Sequence, residues 1–524
     1  MIGLPVAENA RFTDGRDRGV QISSTRLATV AIVGILALSA TLLVVTGRPH
    51  IGALPVLGGL AALALWSVPI RVPLFAFLGL AILGDITTPV PISPMHPVMR
   101  PFYLIRLLLL ENLNKFTGIE AFRFSGMEVI ILFLVGLFCA HVLVARRDES
   151  AGTFSVPRPL MAVLGLAVVS VLAMEVWGIA RGGDARQSFW QMRYLLFTPI
   201  LAALCMYGIR RSTHLVELAA VVTGVACLKI AVGLYVFVWS MTHGHGTPHS
   251  VTSHTDTVLF GVVFAIWSGV LLFRASAPRV LVAVPVLLWT MLGIVINNRR
   301  TAYVTVAVVL FLLVLLLPRV TRRSVLLGAL AFSPLLAGYL LIGRSRSGGV
   351  FAPAASIWSV TKQDDASSDS RDVENYNLTL TLRHHLVLGS GFGHKYEEGP
   401  ASYDLTGVFD QYRYVAHNSV LALMGIGGVF GFALLWLPMV VGTFFAARAH
   451  RCATMSIDRI GAFVAIATFA AYQLQAWSDM GVQGWTSSAL VAVAYATTAL
   501  VVRRSGAWSN HGATSGTQPV SVNR

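Results

Sequence analysis

LATVAIVGILALSATLLVVT (residues 27–46) and IGALPVLGGLAALALWSVPI (residues 51–70) decide the fold class of this chain. Each run is long enough to cross a ~30 Å hydrocarbon core as an α-helix, which takes about 20 apolar residues. In lipid, every backbone N–H and C=O group must be satisfied within its own segment, so repeated runs of this kind indicate helices. The chain is 55% hydrophobic and only 12% charged over 524 residues. The sequence therefore predicts an all-α integral membrane protein.

Further apolar segments bring the expected total to about fourteen membrane-spanning helices. They cover residues 72–86, 127–144, 160–179, 194–209, 215–239, 258–273, 280–296, 301–317, 325–342, 420–445, 460–477 and 485–502. The segment at 72–86 is short, and residues 102–111 could instead form a re-entrant or interfacial helix because Arg106 interrupts them. The expected architecture is a polytopic bundle of about 12–14 transmembrane helices.

The arginines predict how these helices are oriented. Short loops set the orientation, and cytoplasmic loops are rich in Lys and Arg. With a cytoplasmic N-terminus, most arginines fall inside, and the short outside loops hold only Arg48, Arg181, Arg186, Arg193, Arg299 and Arg300. Both termini are then cytoplasmic, and residues 84–126 and 343–416 form long extracytoplasmic loops. The expected divisions are a cytoplasmic tail 1–26, helices one to eleven 27–342, a large extracytoplasmic loop 343–416, helices twelve to fourteen 417–502, and a disordered cytoplasmic tail 503–524.

The formal net charge of +15 indicates contact with membrane lipids rather than with nucleic acid. No basic stretch interleaved with aromatic residues lies on a soluble domain, as nucleic-acid binding would require. Positive-inside bias and anionic lipid headgroups account for the charge.

The position of two pairs of arginines on the outer face requires an explanation, because positive charge there opposes insertion into the membrane. Arg186 and Arg193 lie in DARQSFWQMRYLLF at the entry to the sixth predicted helix, and Arg299 and Arg300 lie in the turn VINNRRTAYV. A guanidinium is a planar, permanently charged fork that suits phosphate oxygens. These arginines either bind a lipid pyrophosphate or anchor the chain to outer-leaflet phosphates.

The end of the large loop supplies a candidate base. His417 and Asn418 in YRYVAHNSVLALMGIGGVFGF stand where the loop re-enters the membrane. Imidazole titrates near neutral pH and can take a proton from an attacking hydroxyl. The alternative is an interfacial histidine followed by a helix cap at Asn418 or Ser419. Upstream, LVLGSGFG carries a lone G-x-G, for which a simple turn is the plainer interpretation.

These stretches together resemble the O-antigen ligase and Wzy-type polymerase superfamily. The resemblance covers roughly residues 280–441 and rests on the outer RR turn, the loop that ends in LVLGSGFG, and HNSVLALMGIGGVFGF. It implies a GT-C-like, metal-independent glycosyltransferase without a cofactor, in a bacterial inner membrane. The implied donor is an undecaprenyl-type pyrophosphate-linked glycan, and the implied acceptor is a hydroxyl on a glycan or glycolipid.

The resemblance also implies roles for individual residues. His417 matches the family's catalytic histidine, and either Arg299 or Arg300 matches the pyrophosphate-binding arginine of the turn. Arg193, with Arg186 as the second choice, and Arg371 in SDSRDVENYNL match further arginines. The expected reaction is a single inverting displacement in which His417 assists deprotonation and the arginines hold the diphosphate.

Several alternatives stay open at this stage. The loop HGHGTPHSVTSHTD offers His243, His245, His249, His254 and Asp256, whose spacing matches no tight zinc template. Lys229, buried in the seventh predicted helix, could pair with Glu175, hold two helices together or face the diphosphate.

The alternative functions are a flippase or polysaccharide transporter and a non-enzymatic scaffold. A transporter should carry paired broken helices and central charges. The sequence instead gathers its unexplained charges on one face and shows no convincing internal repeat.

Overall fold

The computed structural model describes residues 24–86, 92–119, 123–145, 156–248, 250–274, 276–346, 351, 354–355, 358, 366–399, 413–479 and 481–508. The regular elements of these residues are helices, and no strand is found among them. The predicted all-α fold is therefore confirmed. Most of the two predicted cytoplasmic tails lies outside the described residues.

Eighteen α-helices are labelled here in chain order. They are α1 Ser24–Thr46, α2 Pro49–Gly52, α3 Leu54–Trp66, α4 Arg71–Gly84, α5 Arg100–Leu109, α6 Asn114–Thr117, α7 Gly126–Ala145, α8 Arg158–Ala180, α9 Ala185–Gly208, α10 Ser212–Thr242, α11 Asp256–Phe273, α12 Ala277–Asn297, α13 Arg300–Leu316, α14 Arg319–Ser345, α15 Ala366–His384, α16 Ser419–Cys452, α17 Ser456–Ser478 and α18 Trp485–Arg504.

The helices correspond to the predicted membrane spans. Within the described ranges, eleven helical stretches are long and apolar enough to cross a membrane, with α2 and α3 forming one of them. Three shorter apolar helices, α4, α7 and α13, fall on the remaining predicted segments. Residues 100–109 form α5, whose ten residues are too short to cross. The polytopic helical architecture expected from the hydropathy pattern is confirmed.

The chain divides into two compact units. The first contains α1, α2, α3 and α6, and in it Arg48 Nη1 donates to the Phe116 carbonyl at 2.9 Å. The second contains the other helices and holds the main buried core, in which α18 is almost completely enclosed. One end of the second unit is here named the loop end. It contains the first residues of α11, α13 and α16 and the last residues of α17. The opposite end, with Arg274 and Arg279, is named the basic end.

The sixth span begins nine residues earlier than the predicted start at residue 194. Asp184 caps α9, since its Oδ1 accepts from the Arg186 N–H at 2.7 Å and from the Gln187 N–H at 3.3 Å. The first turns of α9 contain polar residues such as Ser188 and Gln191 that are buried against protein. Hydropathy does not detect a helix whose polar side chains face a protein interior, so this boundary prediction was wrong.

The helix after the large loop is broken near its start. Gly428 inside α16 has φ +59° and ψ −168°, outside the helical region. A side chain there would place its Cβ 2.3 Å from the Val387 carbonyl oxygen. The break lets residues 386–391 pack against α16. Gly427 and Gly428 therefore position the loop that precedes His417.

Candidate active site

His417 lies directly before α16, where the long loop rejoins the bundle. Its Nδ1 is 3.2 Å from Glu374 Oε2, and its backbone N–H donates to the same oxygen at 3.1 Å. The Glu374 side chain, on α15, is 10% exposed, whereas that of His417 is 33% exposed. A buried carboxylate at Nδ1 fixes the ring orientation and makes Nε2 the nitrogen that can accept a proton.

Asn418 is the N-cap of α16. Its Oδ1 accepts from the Leu421 N–H at 3.1 Å, and its Nδ2 donates to Asn375 Oδ1 at 3.2 Å. The capping interpretation of Asn418 is thus confirmed, and the same side chain ties α15 to α16. Ser419 donates through Oγ to the Asp479 carbonyl at 3.2 Å, which connects the histidine segment to the end of α17.

Arg299 belongs to a second chain of polar contacts at the loop end. His254 Nε2 lies 3.0 Å from Arg299 Nη2, and His254 Nδ1 lies 2.5 Å from Asp479 Oδ2. Because the arginine always donates, this geometry assigns Nε2 as the acceptor and Nδ1–H as the donor to Asp479. Another donor of the same group, Arg299 Nε, is buried and has no hydrogen-bond acceptor among the described residues.

Arg371 adds a second positive charge near Arg299. The pKa of Arg299 is lowered from its ordinary value by burial and by the charge of Arg371, while Asp479 acts in the opposite direction. Arg371 and Glu374 are three residues apart on α15 and share one helix face. An anion bound between the two guanidinium groups would offset the repulsion that Arg299 experiences from Arg371.

The other three predicted arginines differ in their surroundings. Arg300 is exposed at the first position of α13, and Arg186 is exposed in the first turn of α9. Arg193 is only 3% exposed and lies inside α9. Its Nε donates to Glu128 Oε1 at 2.9 Å, and Nη2 donates to Asn112 Oδ1 at 2.9 Å. Arg299 therefore contacts His254, and Arg371 acts on Arg299 through its charge. Arg193 belongs to a separate buried set with Glu128 and Asn112.

Lys229 is fully buried on α10. Its Nζ donates to Asp256 at 2.5 Å and to the carbonyls of Asp85 at 2.7 Å and Ile82 at 3.0 Å. Its carboxylate partner is thus Asp256 and not Glu175, which accepts a hydrogen bond from Ser188. Of the alternatives for Lys229, these contacts favour a lysine that holds helices together, since they join α10 to α4 and α11.

The GSGFG turn packs against protein and not around a ligand. Its N–H groups donate to the protein throughout: Gly389 to the His385 carbonyl, Ser390 to Gly425, Gly391 to Ile426, Phe392 to Met174, and Gly393 to Gln191 Oε1. A phosphate-binding loop needs free N–H groups. The interpretation of this motif as a turn is confirmed. It holds the loop on α8 and α16.

We expect Gly391→Ala to destabilise the packing of this turn by about 2 kcal/mol or more, from left-handed strain and overpacking. Gly391 has φ +82°, and an added Cβ would lie 2.3 Å from Gly178 Cα. Limited proteolysis across residues 386–418 measures the effect as faster cleavage. Gly165→Ala on α8 is the control, because a Cβ there meets nothing within 4 Å. Equal cleavage of the two variants would contradict the role given to the turn.

The histidine-rich loop does not assemble as one cluster. His243 and His245 stack on Trp239, while His254 contacts Arg299 and Asp479. His249 lies outside the described residues. Over the described parts of the chain, no three His, Cys, Asp or Glu side chains are grouped as metal ligands.

Sequence reasoning did not identify three members of the site: Glu374, His254 as an arginine partner, and Asp479. Glu374 is separated from His417 by 43 positions, and His254 from Asp479 by 225. A usable signal existed for Asp479, which is the acid in the short connection between the last two helices. The predicted topology places that connection on the same face as Arg299.

Comparison with known protein families finds a match within the chain. Residues 285–436 match the family model described as O-antigen ligase. The matched segment includes Arg299, Arg371, Glu374, His417 and Asn418. The resemblance to the O-antigen ligase-like family is confirmed over this part of the 524-residue chain. Among curated proteins, none matches the chain.

Proposed function

Because this multi-pass membrane protein carries an O-antigen ligase-type segment at residues 285–436, we propose that it is a membrane glycosyltransferase. It moves a glycan from a polyprenyl-pyrophosphate carrier to an acceptor hydroxyl at the loop end. The observation that carries the proposal is that the His417–Glu374 pair and the Arg299–His254–Asp479 chain lie at the same end of the bundle. They are linked by the hydrogen bond from Ser419 Oγ to the Asp479 carbonyl. A base and a cation held at one end of the bundle are what transfer from a diphosphate requires.

Arg299 and Arg371 hold the diphosphate in this proposal. Support comes from the buried Nε of Arg299 and from the effect of the Arg371 charge on Arg299. Arginine can neutralise the charge that develops on a leaving diphosphate, so no metal ion is needed. Arg300 and Arg186 remain predicted contributors to diphosphate binding. Arg193, paired with Glu128 and Asn112, would contribute by holding the start of α9 in place.

The reaction is a single displacement. The acceptor hydroxyl oxygen bonds to the anomeric carbon while the bond from that carbon to the diphosphate oxygen breaks. The hydroxyl proton passes to His417 Nε2, and the electron pair leaves with the carrier diphosphate. Glu374 stabilises the imidazolium that forms. Attack opposite the leaving group inverts the anomeric configuration.

The arginine distribution supports the orientation in this proposal, and the family resemblance supports the choice of membrane. The loop end is extracytoplasmic, both termini are cytoplasmic, and the membrane is the bacterial inner membrane. The acceptor is a glycan or glycolipid hydroxyl, and the enzyme works as a ligase or as a polysaccharide polymerase.

Reconstitution into liposomes tests the function directly. Purified protein receives lipid-linked glycan and acceptor on the loop-end side, with EDTA present, and the glycosylated acceptor is measured by mass. We expect product with the wild type and a loss of about 10²-fold or more with Arg299→Gln, as for removal of a charge-stabilising donor. Arg319→Gln, at the basic end, is the matched charge control and should retain activity.

The same assay separates the transferase from its main rival. A flippase would move intact lipid-linked glycan between leaflets and leave the acceptor unmodified. Precursor that changes leaflet without being consumed would overturn the transferase proposal. Product formation that EDTA abolishes would overturn its metal independence.

A further inference from the structure

An apolar cavity of about 310 Å³ lies between α10, α11, α17 and α18, away from the candidate active site. Its wall includes Leu218, Ile266, Val464 and Leu490. The two guanidinium side chains among its lining residues, Arg274 and Arg279, stand together at the basic end. The cavity thus has an apolar body and a positively charged mouth.

The wall of the cavity does not favour water or a polar ligand. Thr468 inside it donates to the Val464 carbonyl at 2.8 Å, and Trp267 donates to Thr223 Oγ1 at 3.1 Å. Thr497 is the other hydroxyl in the wall, and one hydroxyl cannot supply the two to four partners that a buried water needs. Hydrocarbon is the occupant that such a wall accepts.

The depth of the cavity corresponds to one leaflet of a bilayer. Along α11 it extends from Arg274 to Val262, which is roughly 18 Å at 1.5 Å per residue. Half of a hydrocarbon core is about 15 Å. Val216 on the rim is 54% exposed, so the cavity opens sideways toward surrounding lipid.

We propose that this cavity binds an acyl chain of an anionic phospholipid, with the lipid phosphate at Arg274 and Arg279. Guanidinium groups at headgroup depth favour anionic over zwitterionic lipid. The carrier lipid of the proposed donor is a different occupant, since its diphosphate belongs at the loop end. The lipid site depends on neither His417 nor the transfer reaction.

Native mass spectrometry in detergent tests the site with equal amounts of phosphatidylglycerol and phosphatidylcholine that carry identical acyl chains. We expect wild-type protein to retain phosphatidylglycerol about tenfold more strongly. Arg274→Gln/Arg279→Gln should remove this preference. Val493→Phe, which fills the cavity from a half-buried wall position, should reduce retention of both lipids.

Arg319→Gln/Arg323→Gln is the matched control, because these exposed arginines lie at the same end and outside the cavity. This pair should keep the lipid preference. Equal retention of the two lipids by the wild type would overturn the proposal. It would also fail if the control pair lost the preference to the same extent, or if an added polyprenyl phosphate displaced the phosphatidylglycerol.

Discussion

Replacing His417 with alanine should reduce glycan transfer by about 10²–10⁴-fold, the range that a positioned general base contributes. The imidazole stands at the junction of the loop and α16, and Glu374 contacts its Nδ1. Alanine removes the proton acceptor and leaves Arg299, which holds the diphosphate in the proposed function, unchanged. The loss should therefore appear in kcat, with little change in the KM for the lipid-linked donor.

Glu374→Gln supplies a graded version of the same experiment. Glutamine keeps an acceptor oxygen beside His417 but removes the charge that stabilises the imidazolium. We expect a smaller loss of transfer than for His417→Ala, and this loss should again appear in kcat and not in the KM for the lipid-linked donor.

The control for both variants is His384→Gln on the same helix as Glu374. The His384 side chain is 57% exposed and contacts Glu397, outside the proposed site. This variant should keep wild-type transfer when membrane levels of the protein are matched. Full activity of His417→Ala at matched levels would remove the base from the mechanism and favour a role for His417 at the interface only.

The sequence was sufficient to predict the membrane architecture because a spanning helix depends on local composition. An apolar run of about 20 residues specifies a helix in lipid whatever surrounds it. The start of α9 was missed for the same reason. Its polar side chains are buried by neighbouring helices, and their burial depends on tertiary packing that a local window does not contain.

The candidate site was predictable only in part. His417 and the arginine turn could be identified because each lies at a membrane boundary, where charge is unusual. Their partners are brought together by folding: Glu374 from the long loop and Asp479 from the end of α17. The same limit explains why Lys229 could be recognised as buried while its partner Asp256 could not be chosen.

The second large effect is expected at Lys229. Lys229→Met should lower stability by about 3–5 kcal/mol, because it leaves the Asp256 carboxylate buried without its cation. Both side chains of this pair are 0% exposed. The Asp85 and Ile82 carbonyls also lose a donor. Thermal unfolding in detergent measures the effect as a lower midpoint temperature.

A second substitution distinguishes a structural role of Lys229 from a chemical one. In Lys229→Met/Asp256→Asn the orphaned charge is gone, so part of the lost stability should return, and transfer activity per folded molecule should be close to wild type. If Lys229 acts on the diphosphate, the double variant stays inactive although it is folded. If the lysine serves only to join α10 to α4 and α11, activity follows the folded fraction in every variant, because the buried pair then acts through stability alone.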